Sequence, residues 1–114
     1  MLTIEMLKDF GANTEEGLGR CMNNEAFYLR MVGMGLADGN FDKLQSAVEA
    51  GNVKEAFEAA HALKGVMGNL SLTPIYTPLS ELTEMLRSKD EMVDVSAEFS
   101  QVMEQLEKVR AMNA

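Results

Sequence analysis

The sequence predicts an all-α protein, an up-and-down four-helix bundle with one or two short extra N-terminal helices. Apolar residues recur at spacings of three and four, and no segment alternates strictly as a half-buried strand would. Residues that favour helices, such as Met, Leu, Ala and Glu, are abundant. Short turn signals separate the apolar stretches, so consecutive helices must lie antiparallel beside each other.

The N-terminal part contains three predicted helical stretches. A short apolar segment ends at the sequence GAN, and Asn13, with Glu16 three residues later, has the spacing of a helix cap that opens a second short helix. A longer helix is predicted over Glu25–Ala37. Its apolar residues on one side are Phe27, Met31 and Met34.

Four more helices are predicted in the rest of the chain. Asn40 opens a short helix, and Asn52 caps the next one. Pro74 suits the first turn of a third helix, where its missing N–H has no partner to lose. The final helix is predicted from Met92 to Val109, with apolar residues at alternating spacings of three and four.

The 114 residues predict one domain, residues 1–114, with a core of its own. The formal net charge of −8 disfavours nucleic acid and anionic membranes as partners. Cys21 is the only cysteine, which suits a reducing compartment. The sequence contains neither a long apolar run nor the features of a signal peptide. A cytoplasmic monomer is therefore expected.

The chain's single histidine lies in the stretch AHALKGVMGNL, which begins at Ala60. On a helical wheel the apolar residues of this helix point about 130° away from His61, so His61 is not part of the core. Lys64, Gly65 and Gly68 share one stripe with His61 at spacings of three and four. The apolar residues that define the core side are Ala56, Ala60, Leu63, Met67 and Leu70.

The stripe contains a possible nucleophile, His61, a cation, Lys64, and two glycines, which have no side chain. Each interior glycine costs about 1 kcal/mol of helix stability relative to alanine, so Gly65 and Gly68 need a reason. They leave bare backbone where another molecule could approach the imidazole of His61. Imidazole in water has a pKa of about 6.5, so its nucleophilic neutral form is abundant at pH 7. Lys64 could balance the charge of an added phosphoryl group.

The string HALKG, followed by VMGNL, LTP and a Leu-rich helix, resembles the histidine-containing phosphotransfer (HPt) domains of bacterial phosphorelays. The resemblance extends over residues 14–110. It implies a four-helix bundle whose exposed histidine takes a phosphoryl group from one receiver-domain aspartate and gives it to another. One departure is Ser71, where many members have glycine, and it puts the local helix end in doubt.

By position, the resemblance makes His61 the phosphorylated residue, Lys64 the stabiliser of the phosphoryl charge and Gly65 the gap that admits the receiver. Gly68 would widen that gap, although close packing against another helix is an equally good reason for this glycine. Without His61, Lys64 would be an ordinary surface lysine. The carboxylates lack the spacing of a calcium loop and there is no second histidine, so no metal site is predicted.

The predicted partners are response-regulator receiver domains, with a hybrid histidine kinase as a further candidate. The protein is expected to be a covalent carrier rather than an enzyme, with no cofactor, because the receiver would supply the acidic pocket and the Mg²⁺. Two alternatives stay open. The chain could be the phosphorylatable substrate module of a larger histidine kinase, or it could bind receivers without phosphotransfer.

Overall fold

In a computed structural model the chain is described for residues 1–113, where it forms seven α-helices and no strand. The helices are α1 Ile4–Phe10, α2 Thr14–Arg20, α3 Glu25–Leu36, α4 Asn40–Ala50, α5 Val53–Asn69, α6 Thr73–Leu86 and α7 Ser96–Met112. The predicted all-α class is confirmed, with α4–α7 packed as a four-helix bundle after the N-terminal helices. Within residues 1–113, no helix has the length and apolar character that crossing a membrane requires.

Helix α5 lies at the centre of the packing, because both α4 and α6 pack against it. Its core side is the one that the helical wheel predicts. Leu63 and Met67 are completely buried, and His61 on the other side is exposed. The side chains that bury this side of α5 are Ala56, Ala59, Ala60, Leu63 and Met67. Hydrophobic burial therefore fixes the rotation of α5 about its axis and keeps His61 at the surface.

Helix α3 faces the core with a different side from the one that the sequence suggests. Phe27 and Met34, from the predicted apolar stripe, are 43% and 60% exposed. Tyr28, Val32 and Leu36 are the buried residues. This helix is apolar on most of its sides, so periodicity cannot decide which side packs inward.

Of the predicted helix caps, Asn13 and Asn52 are confirmed, whereas Asn40 is the first residue of α4 and does not cap it. The side chains of Asn13 and Asn52 each accept a hydrogen bond, at 3.1 Å, from the backbone N–H three residues later. The last helix begins at Ser96, not at the predicted Met92, and Asp94 accepts hydrogen bonds from the Ser96 N–H and hydroxyl. Met92 belongs to an irregular connection, whose apolar residues resemble a continuation of the helical pattern.

The C-terminal end of α5 is held by an arginine from α2. Arg20 Nη1 donates hydrogen bonds to the carbonyl oxygens of Gly68 at 3.0 Å and Asn69 at 3.1 Å, and to the Ser71 hydroxyl at 2.7 Å. Its Nη2 donates to Glu16 at 2.8 Å. The last carbonyls of a helix lack partners within the helix, and a cation there also opposes the negative end of the helix dipole. Arg20 therefore satisfies the end of α5 and ties α2 to it.

Ser71 turns the chain between α5 and α6 in the left-handed region, with φ at 56°. Glycine adopts this conformation without steric cost, which explains why glycine suits the position. Ser71 compensates through its hydroxyl, which accepts from Arg20 and donates to Glu16 at 2.9 Å. The Asn13 N–H also donates to the Ser71 carbonyl at 2.9 Å. The doubt about the local helix end is resolved, since α5 ends at Asn69.

Tyr28 of α3 secures the same junction from inside. Its hydroxyl, which is buried, donates to the Leu70 carbonyl at 2.8 Å. Gly17 makes room for the ring, because a Cβ there would lie 2.6 Å from it. Burial raises the pKa of Tyr28 to about 12.

Tyr28→Phe should lower the free energy of unfolding by about 1–2 kcal/mol, because it leaves the buried Leu70 carbonyl without its donor. Tyr76→Phe is the matched control, since the Tyr76 hydroxyl makes no hydrogen bond within residues 1–113. Urea denaturation at pH 7 would measure both variants. Equal effects of the two substitutions would contradict this role for Tyr28.

The advantage of the wild type over Tyr28→Phe should disappear at high pH. The folded-state pKa of Tyr28 is about 12 against an ordinary 10.0, so its contribution is complete below pH 10 and is lost as the pH rises toward 12. By about pH 12 the wild type should lose about 2 kcal/mol relative to the variant, which is as large as its whole advantage at neutral pH. Parallel denaturation series from pH 8 to about pH 12 would measure the difference. A constant difference would mean that Tyr28 titrates normally in the fold.

Candidate functional site

His61 lies on the exposed side of α5 with its ring stacked on an aromatic neighbour. The ring centroids of Phe57 and His61 are 5.7 Å apart, and the planes differ by 13°. Phe57 is half-buried, one turn before His61 on the same helix. The stack restricts the orientations of the imidazole while leaving its edge, and so its nitrogens, open to a partner.

Lys64 lies one turn after His61 and contacts a carboxylate from α6. Its Nζ is 3.9 Å from Glu84 Oε1, and the two side chains are 25% and 54% exposed. The Lys64 ammonium is therefore near the surface beside His61, and the structure gives it a counter-charge. This contact is long and solvated, which makes it an ion pair that is readily exchanged.

Arg87 connects Glu84 back to the aromatic stack. Its Nη2 lies 3.0 Å from Glu84 Oε1, and its Cζ lies 5.2 Å from the centre of the Phe57 ring. A continuous set of contacts thus runs from His61 through Phe57, Arg87 and Glu84 to Lys64. We call these five residues the His61 contact set.

The ionisation of this set follows from its contacts. The pKa of the Glu84 carboxyl lies below its usual range, first because Arg87 donates hydrogen bonds to it. Desolvation, the next largest effect, opposes this shift, and the nearby charges of Arg87, Lys64 and His61 add to it. The same hydrogen bond raises the pKa of the Arg87 guanidinium. Glu84 is therefore fully charged at neutral pH.

An open groove of about 660 Å³ runs beside His61 between α2, α5 and α6. All four residues that the sequence singles out line this groove, namely His61, Lys64, Gly65 and Gly68. The opposite wall includes Asn13, Glu16 and Arg20. The pKa of Glu16 is lowered by hydrogen bonds from Ser71 and Arg20 and by the charge of Arg20. The groove beside the imidazole is thus also lined by two cations, Lys64 and Arg20, and by the carboxylate of Glu16.

The two glycines of the stripe have different surroundings. A Cβ on Gly65 would meet no neighbouring side chain of residues 1–113 within 4 Å, so this position opens directly to solvent. A Cβ on Gly68 would lie 3.2 Å from the Tyr76 ring. The absence of a side chain at Gly68 therefore has a packing reason within the fold, and Gly65 has none.

The arrangement can present a nucleophilic nitrogen to a docked molecule, but it does not form a metal centre. Within the part of the chain that the structure describes, no three His, Cys, Asp or Glu residues are grouped to hold a metal ion. The exposed imidazole of His61 and the cation one turn away suit the reversible attachment of an anionic group.

Sequence reasoning missed three members of the His61 contact set and the arginine at the groove wall. Phe57 could have been found, because it is four residues before His61 and so faces the same direction. Glu84 and Arg87 could not, because their proximity depends on how α6 is placed along α5. Arg20 is separated from the groove by a long stretch of sequence, and no local pattern relates the two.

The model of the Hpt domain family matches residues 36–112. Comparisons with curated proteins and with solved structures gave no match. The matched segment contains α4–α7, together with His61 and Lys64. Hpt domains are carriers in histidine phosphotransfer within phosphorelays, where they interact with receiver domains. The resemblance seen in the sequence is confirmed, and because the match spans more than half of the chain, this chain belongs to the Hpt domain family.

Proposed function

We propose that this protein is a phosphorelay carrier that accepts a phosphoryl group on His61 from a receiver-domain aspartate and passes it to another receiver. The observation that carries the proposal is the placing of His61. Its exposed imidazole lies at an open groove, with Lys64 one turn away and no side chain at Gly65. The membership of the family supports the same chemistry.

The transfer step is a displacement at phosphorus. A ring nitrogen of neutral His61 donates its lone pair to phosphorus, and the bond from phosphorus to the aspartate oxygen breaks. The aspartate leaves as a carboxylate with the electron pair of that bond. The proton on the second ring nitrogen becomes more acidic and equilibrates with water. The receiver supplies the acidic pocket and the Mg²⁺ for this step.

Lys64 would stabilise the phosphorylated state. A phosphoryl group on His61 adds up to about two negative charges to a protein that is already acidic. The Lys64 ammonium is close enough on the helix surface to contact the new oxygens. Its mobile, partly exposed side chain can do so without a change in the backbone.

The groove and Gly65 would form the docking surface for the receiver. The bare backbone at Gly65 allows a close approach to the imidazole, and Gly68 extends the low surface toward Tyr76. A relay needs a contact of modest area that is readily released. The proposal also holds that the protein is a cytoplasmic monomer and that its partners are the receiver domains of response regulators. A hybrid histidine kinase is a further candidate partner, as the protein that contains the donor receiver.

The first test incubates the wild type and His61→Gln with a phosphorylated receiver domain and Mg²⁺. We expect an acid-labile phosphoryl adduct on the wild type only, because glutamine has no nucleophilic ring nitrogen. Intact-mass spectrometry measures the adduct. An adduct on both proteins would refute the assignment of His61 as the phosphorylated residue. So would the absence of an adduct on both proteins when receivers and phosphoramidate have each been tried as the donor.

The same experiment separates the two alternatives. If the protein only binds receivers, both the wild type and His61→Gln should bind the receiver, and neither should take up a phosphoryl group. A substrate module of a histidine kinase would be phosphorylated by a kinase domain with ATP in preference to a receiver. Transfer in both directions between the wild type and two receivers would favour the carrier over either alternative.

Gly65→Gln should slow transfer from a receiver about tenfold or more, because a long side chain would fill the approach to His61. Gly33→Gln is the control, since a Cβ on Gly33 also meets no neighbour within 4 Å among residues 1–113. Both substitutions should raise stability by about 0.5–1 kcal/mol, through helix propensity. Rapid-quench transfer kinetics and thermal unfolding measure these effects. Normal transfer by Gly65→Gln would remove Gly65 from the docking surface.

A further inference from the structure

The cation needed beside a phosphorylated histidine is already engaged in the unmodified protein. Lys64 Nζ lies 3.9 Å from Glu84 Oε1, and within residues 1–113 this is its only ion pair. Arg87 also holds Glu84 in place, through hydrogen bonds from both Nε and Nη2. The carboxylate is therefore an anchored, ionised partner for the Lys64 ammonium.

A phosphoryl group on His61 would compete with this carboxylate for Lys64. His61 and Lys64 are three residues apart on α5, so the Lys64 ammonium, which contacts Glu84, is also within reach of a group attached to His61. Glu84 is also close enough to feel the charge of His61. Contact of Lys64 with one anion thus comes at the expense of its contact with the other.

We propose that Glu84 is a positioning residue that holds Lys64 in the unphosphorylated protein and competes with the phosphoryl group for it. Because of this competition, phosphorylated His61 is less stable and gives up its phosphoryl group more readily. This inference rests on the proposed function of His61. Glu84 makes no contact with the reacting atoms, and the proposed effect is the part of its influence that depends on Lys64.

The effect on the lifetime of the adduct follows from the charge in the transition state. When the adduct is hydrolysed, a water oxygen bonds to phosphorus, the phosphorus–nitrogen bond breaks, and the imidazole keeps the electron pair and regains a proton. In a loose, metaphosphate-like transition state, negative charge moves from the phosphoryl oxygens toward the departing nitrogen. An ammonium ion on those oxygens stabilises the ground state more, so a freely available Lys64 should prolong the adduct.

The test uses Glu84→Gln, which keeps the shape and can still accept a hydrogen bond from Arg87. The adduct is made with phosphoramidate, without any receiver, and its decay at pH 7.5 is followed by intact-mass spectrometry. The half-life should be about two- to fivefold longer than in the wild type, the size expected for one exposed ion pair. Glu81→Gln is the matched control, because Glu81 is exposed on the same helix and makes no ion pair within residues 1–113.

A double-substitution series decides whether Glu84 acts through Lys64. In a Lys64→Ala background, Glu84→Gln should no longer change the half-life. An equal effect in both backgrounds, or no effect of Glu84→Gln in the wild-type background, would overturn the proposal. Thermal unfolding of each variant checks that the fold is intact.

Failure of the inference can be told apart from failure of the proposed function. If phosphoramidate modifies His61 but no receiver does, the carrier role fails while the half-lives still decide the role of Glu84. If receivers transfer to all variants with equal adduct half-lives, the carrier role stands and the role of Glu84 is refuted. If no adduct forms on His61 under any condition, both are refuted.

Discussion

The backbone carbonyls at the C-terminal end of α5 are the groups on which the arrangement around His61 depends. They have no partners within the helix, so their donors must come from elsewhere in the fold, and the Leu70 carbonyl is buried, which makes it costly to leave without one. Arg20 and Tyr28 supply the donors, from α2 and α3. Satisfying these carbonyls brings α2 alongside α5, and α2 then forms the second wall of the groove at His61.

The two cations that line the groove, Arg20 and Lys64, and the neighbouring Arg87 each have an anionic partner already. Arg20 pairs with Glu16, and Lys64 and Arg87 both pair with Glu84. In a protein of net charge −8, an added phosphoryl group meets cations that already have anionic partners. Since these ion pairs are exposed and weak, their cations can change partners. A phosphoryl group on His61 would nevertheless have to compete with a carboxylate for any of these cations. Such a balance suits a group that must be both accepted and released.

The sequence predicted the parts that local periodicity determines. The rotation of α5, the exposure of His61 and the capping role of Asn52 follow from spacing within one helix, and the structure agrees with each. The prediction was wrong where several sides of an element are apolar, as in α3, and where apolar residues continue past the helix into a connection, as at Met92. The contacts of Glu84 and Arg20 depend on how separate helices are placed, which a single sequence does not encode locally.

The division between the matched family segment and the preceding helices has a physical meaning. Residues 36–112 contain Lys64 and His61, the residue that we propose is phosphorylated. The N–H groups of Ser71 and Leu72 supply some of the donors at the end of α5, and the side chains of Arg20 and Tyr28, which precede that segment, supply the others. A helix whose terminal carbonyls are unsatisfied frays in its last turn, and Gly68 and Asn69 are in that turn, at the edge of the groove. The N-terminal helices therefore help to give α5 a defined end, and with it a groove of defined shape beside the imidazole of His61.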